Sequence, residues 1–229
     1  MEKQPVTMSR LETLLGIIYI VAQIFFLPVI LVIGNSLLPH PFNDAELNFI
    51  SFALNFICVT VIFRRYLLNS LAIVIEDLGH VLRTCGMGFM AYWVGNIVVN
   101  MIVLSLDPNF SNVNDDSILQ ISENNFMLMT IGTVILVPVV EETLYRGVLF
   151  GQLRRKNAVL AYIVSVLVFS SIHVIGYIGY YPPMRLLLCL LQYFPAAVFL
   201  AWTYEKAGTI WAPILIHMIV NLIGMSAMK

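Results

Sequence analysis

The stretch VPVVEETLYRGVLF, Val137 to Phe150, sets two adjacent glutamates and an arginine inside a run otherwise fit to cross a membrane. A helix rises about 1.5 Å per residue, which puts Glu141 roughly 15 Å from Gly151, where that run ends. An ionisable group at such depth costs a few kcal/mol by insertion scales (about 2.5–3.5) and marks function by default. Glu142 and Arg146 are four apart, stacked on one helical face with the acid N-terminal to the base. Arg146 is therefore placed to neutralise Glu142 and hold its carboxylate. Glu141 lies about 100° around the helix, unpaired by its neighbour, and is the candidate for chemistry. The bland alternative is an ion pair that fixes packing, with Glu141 protonated and silent. Packing, however, does not need a second adjacent carboxylate. Pro138 removes one backbone donor and is expected to kink the helix.

Composition sets the solvent. Hydrophobic residues make up 60% of the 229 and charged residues 11%, with a mean hydropathy of +0.90. A soluble domain carries about 25% charged residues, so a polytopic membrane protein is expected. A net charge of −1 provides no basic field for phosphates and excludes nucleic acid as a partner. Cys58, Cys85 and Cys189 lie in or beside apolar runs, without the spacing of a disulfide framework or zinc cluster. No cleavable signal peptide is read at the start of the chain.

A span needs roughly 20 apolar residues, and seven runs qualify: 14–38, 47–68, 86–106, 126–150, 158–176, 185–205 and 209–227. The expected fold class is all-α, a transmembrane helix bundle of seven spans forming one integral membrane domain over 1–229. Asn69–Thr84 reads as an amphipathic surface helix, or as an eighth, re-entrant span. Asp107–Asn125 reads as a long polar loop. Lys3, Arg10, Arg64, Arg65, Arg83, Arg154, Arg155, Lys156 and Lys206 fall on one side of the seven-span layout, and only Arg185 and Lys229 on the other. By the positive-inside rule the N-terminus faces the cytoplasm, in the cell membrane.

Two histidines join the buried charges. His173 ends the fifth run and His217 lies in the seventh, whereas His40 and His80 fall in polar or interfacial segments. A lone histidine on an apolar helix is usually a packing residue. Two of them, in a chain that also buries two glutamates and an arginine, read as one site. Asn221 follows His217 by four and Phe169 precedes His173 by four, so each pair shares a helical face. A carboxylate and an imidazole can deprotonate water. A second imidazole and an amide can donate to the oxyanion of a tetrahedral intermediate. The same residue types could instead hold zinc with an open position, although no H-E-x-x-H spacing is present. A proton-coupled transporter would use a similar relay but is expected to show inverted repeats, and none is visible.

The blocks EETLYR, FSSIH and HMIVN, in that order on three late helices, resemble the E-E-x-x-x-R, F-x-x-x-H and H-x-x-x-N motifs of the CAAX prenyl endopeptidases and their bacterial CPBP, or Abi-like, relatives. The resemblance covers roughly 133–223, within the segment 126–227. It implies an intramembrane endopeptidase in which Glu141 and His173 activate water and His217 with Asn221 forms the oxyanion hole. Arg146 with Glu142 would hold the site in register, and Phe169 would wall the pocket. It also implies a glutamate mechanism without a metal cofactor, zinc being the alternative. Membrane lipid and a peptide or protein are the expected partners, the peptide being lipidated, leader-type or bacteriocin-related. A non-catalytic peptide-immunity protein of the same fold is the rival reading.

Overall fold

The computed structural model describes residues 5–228, so Lys3 and Lys229 of the charge reading lie outside it. The described residues form nine helices of ten residues or more, with a short 3₁₀ turn at Ile175–Tyr177: α1 Arg10–Ser36, α2 Asp44–Ile62, α3 Arg64–Glu76, α4 Leu78–Leu106, α5 Val113–Ser122, α6 Phe126–Arg154, α7 Ala158–Ile172, α8 Pro183–Ala207 and α9 Trp211–Ala227. The only extended pairing among them is an isolated bridge between Ile178 and Tyr181. Side-chain caps explain several starts. Ser9 and Glu12 form a reciprocal capping box at α1, and Asn43 and Glu46 form another at α2.

Every apolar run of the sequence falls on a helix, but the boundaries differ. Five helices (α1, α2, α4, α6, α8) are long and apolar enough to cross a membrane, while α7 and α9 are shorter apolar helices. The 15 residues of α7 rise about 22 Å, less than the hydrocarbon core of about 30 Å. Five of the seven runs thus fall on helices of spanning length. Asn69–Thr84 is not one surface helix. Asp77 breaks it with φ −147° and caps α4 by accepting from the His80 N–H, so 69–76 end α3 and 78–84 begin α4. Likewise Phe63 ends α2, and Arg64–Leu68, assigned to the second run, start α3. The polar loop 107–125 contains α5, capped by Asn112 with Asp115 and Asp116 in its first turn.

Small residues let the long helices approach. A methyl added at Gly88 of α4 would land on Thr203 Oγ1 of α8, and one at Gly95 would press on Phe199. Large apolar side chains face outward along α1 and α4, among them Phe26, Ile30, Val94 and Met101. Such continuous apolar cover suits lipid rather than water.

The bundle has two unlike ends. At one end, Arg154 pairs with Glu205 at 2.7 Å, His80 Nε2 meets the Lys206 carbonyl at 2.9 Å, and Trp211 Nε1 donates to the Leu67 carbonyl at 3.0 Å. That end therefore gathers α3 and the arginine-rich 154–155 turn. At the other, Arg185 at the start of α8 reaches Ser111 and Asp116, and α5 packs across the beginning of α6.

Candidate active site

Pro138 organises the middle of α6. The turn before it, Gly132–Leu136, is π-helical, with the Val137 N–H bonded to the Gly132 carbonyl five residues back. In that register the Thr133 carbonyl would accept from residue 138, and proline has no N–H. The Asn221 side chain of α9 supplies the missing donor, Nδ2 to Thr133 O at 2.8 Å. Beyond Glu141 the helix turns π-helical again over Glu142–Phe150. π-Helical turns inside α-helices are frequent at functional sites. A shifted hydrogen-bond register is what accompanies Pro138 here.

Glu142 and Arg146 are fully buried and joined at 3.0 Å, Oε1 to Nη1. The same Oε1 accepts from His217 Nδ1 at 2.8 Å. Arg146 also donates from Nη2 to the Ala196 carbonyl at 3.2 Å, and its guanidinium lies 4.0 Å from the centre of the Phe169 ring. Glu142, Arg146, His217 and Phe169 thus lock α6, α7, α8 and α9 together beneath the site.

Glu141 is held differently. Its Oε2 is buried with no hydrogen-bond partner among the described residues. It faces His173 Nε2 at 3.9 Å and His217 Nε2 at 4.0 Å. His173 caps α7 and donates from Nδ1 to the Phe169 carbonyl at 2.7 Å, which leaves Nε2 as an acceptor on the neutral ring. Its ring stacks on Tyr193, centroids 4.2 Å apart. With Nδ1 given to Glu142, neutral His217 also presents a lone pair at Nε2 and donates there only as the imidazolium. The Glu141–histidine separations exceed a direct hydrogen bond but suit a shared water. Neighbouring ligands on a tetrahedral zinc stand about 3.3 Å apart, given bonds of about 2 Å. Both separations from Glu141 are wider than that, and no group of three His, Cys, Asp or Glu among the described residues is arranged for a metal.

Glu141, Phe169, His173, His217 and Asn221 all line one cavity of about 630 Å³, and Glu142 and Arg146 lie beneath it. The seven predicted residues are brought together. The sequence reading missed Tyr193, Thr133 and a row of polar groups on the cavity wall: Tyr92, Asn96, Asn100, Asn112 and Gln192. Asn96 and Asn100, four apart in an apolar run, were a readable signal.

Residues 123–223 match the family model of the type II CAAX prenyl endopeptidases, Rce1-like. That is a peptidase family, and the matched part of the chain carries all seven site residues. The chain is also similar to the UPF0177 protein YxdF of Lactococcus lactis subsp. lactis (strain IL1403), at 32% identity over 95 residues. The alignment covers 42% of this chain and 47% of that protein, so the chain spans about half the length of the curated relative it matches. No solved structure matches.

Proposed function

We propose that the protein is a multi-pass membrane endopeptidase that hydrolyses a peptide bond with water activated by Glu141 and His173. The observation that carries this is the unpartnered, buried Glu141 Oε2 facing two imidazole nitrogens at 3.9 and 4.0 Å. Water between these groups gives a proton to Glu141, with His173 Nε2 sharing the load, and its oxygen attacks the scissile carbonyl. The oxyanion is met by the second N–H of Asn221 and by His217 in the form that carries a proton on Nε2. The proton held by Glu141 then passes to the departing nitrogen, the C–N bond breaks, and a carboxylate and an amine leave.

The substrate class is a peptide or protein segment, lipidated, leader-type or bacteriocin-related. The N-terminus faces the cytoplasm of the cell membrane, since the Arg154–Lys156 end is the positive one. No bound metal takes part. The test is cleavage of lipidated and leader peptides by protein purified in detergent, with Glu141→Gln as control and metal content measured in parallel. Cleavage by the parent alone, unaffected by chelators, supports the reading. Stoichiometric zinc whose removal abolishes cleavage and whose return restores it overturns the glutamate mechanism. Peptide binding without cleavage favours the immunity-protein alternative, and proton uptake coupled to a solute favours a transporter.

A further inference from the structure

The wall of the cavity carries a continuous run of side-chain hydrogen bonds. Asn96 donates to Tyr92 Oη at 2.8 Å, and Asn100 donates to Asn96. Gln192 donates to Asn100 at 2.7 Å, and Asn112 donates to Gln192 at 2.8 Å. It joins α4, α8 and the cap of α5, and all five residues line the same cavity as Glu141. Each of Asn96, Asn100 and Gln192 spends one N–H and one lone pair on these neighbours. A carboxamide has two of each, so these three each keep one donor and one acceptor for a ligand, whereas Asn112 accepts from the Asn114 N–H and the Tyr193 hydroxyl and keeps a donor alone.

The spacing suits one kind of ligand. Asn96 and Asn100 are one turn apart, about 6 Å along the helix axis. An extended peptide presents the N–H and C=O of alternate residues to one edge every 6.8 Å or so. A row of carboxamides at that interval mimics the edge of a strand, and strand edges bind peptides through their backbone. Tyr92, Asn96, Asn100 and Gln192, polar groups on otherwise apolar helices, have no packing purpose that apolar side chains would not serve better. The cavity is lined at its far end by Asn48, Tyr177 and Met228, the end opposite Arg154 and Arg155.

We infer that Tyr92, Asn96, Asn100, Gln192 and Asn112 form a backbone-binding ladder that holds an extended peptide entering from the end remote from the arginine-rich turn. This deepens the endopeptidase reading and rests on it for the use made of the bound peptide. Binding can nonetheless be tested without chemistry.

The Glu141→Gln protein in nanodiscs is titrated with a fluorescent, end-capped alanine–valine heptapeptide and with the same peptide N-methylated at alternate amides. N-Methylation leaves the side chains and removes the donors, so binding should weaken about tenfold or more for the few hydrogen bonds lost. Asn100→Leu and Gln192→Leu should weaken the parent peptide similarly and erase the difference between the two peptides. Thermal unfolding identifies either variant as misfolded, in which case the two-peptide comparison alone decides. Right-side-out vesicles should bind the peptide and inverted ones should not. Equal binding of the two peptides, no binding of either, or binding to inverted vesicles alone overturns the ladder. Binding as expected with no cleavage by the parent protein would instead overturn the endopeptidase reading and leave the ladder standing.

Discussion

Adjacent carboxylates in α6 meet opposite conditions. Glu142 Oε1 is gripped by Arg146 and His217, while Glu141 Oε2 has no hydrogen-bond partner among the described residues. Glu141→Gln should therefore abolish cleavage while leaving thermal unfolding nearly unchanged. Arg146→Ala should lower stability by about 3–5 kcal/mol, because it strands a buried carboxylate. Unfolding curves in one detergent compare the two directly, and an Arg146→Ala protein as stable as the parent would deny the ion pair its structural role. Asn221→Ala should reduce kcat by roughly 10²–10³, the usual loss of an oxyanion donor, with little change in KM. Asn221→Asp should not restore it, since a carboxylate opposes the forming charge. Steady-state kinetics on any cleaved peptide checks both. The Glu142–Arg146 pair was legible from spacing alone, because i,i+4 geometry is local. Which nitrogen of each histidine faces Glu141 was not, since partners on other elements decide it.

At the scale of helices, apolar periodicity found the runs but not their breaks. Phe63 and Asp77 interrupt segments that read as continuous because residues on either side are equally apolar or amphipathic. The α5 helix escaped notice for want of an apolar stripe, although Asn112 with two aspartates in the next turn was a start signal. Close packing at Gly88 predicts that Gly88→Ala costs about 1–3 kcal/mol, as overpacking does, measured by unfolding in detergent. Asp115 on α5 opens into the cavity mouth. Although the side chain keeps contact with solvent at the mouth, partial desolvation by the surrounding protein, with the charge of Asp116 beside it and against the Asn114 hydrogen bond, pushes its carboxyl up to about 6. An unfolded aspartate titrates near 3.9, so the native state binds this proton more tightly. Stability from this group is present below about pH 4 and is lost as pH rises to about 6. Asp115→Asn should raise the melting temperature at pH 7.5 and flatten its slope between those values.

For the whole molecule, the asymmetry of its ends was readable from lysine and arginine positions, but the cavity was not. It is assembled from α2, α4, α5, α6, α7, α8 and α9, whose adjacency no local pattern encodes. In a cysteine-free background, Asn109→Cys should react with an impermeant maleimide in intact cells, and Lys156→Cys only in inverted vesicles. The reverse pattern would refute the assigned orientation. Depth has a further consequence. Phe126 begins α6 near the open end, fifteen positions before Glu141, a distance of about 22 Å along the axis. An extended polypeptide needs about seven residues to cover it, and fixing their backbone costs about 1–2 kcal/mol each. A folded domain cannot make that passage, whatever its sequence. On the proposed endopeptidase reading, a polypeptide entering by that end would reach the carboxylate only where at least seven residues near the scissile bond are already slack, so local unfolding of the target, ahead of any side-chain preference, would select where it is cut.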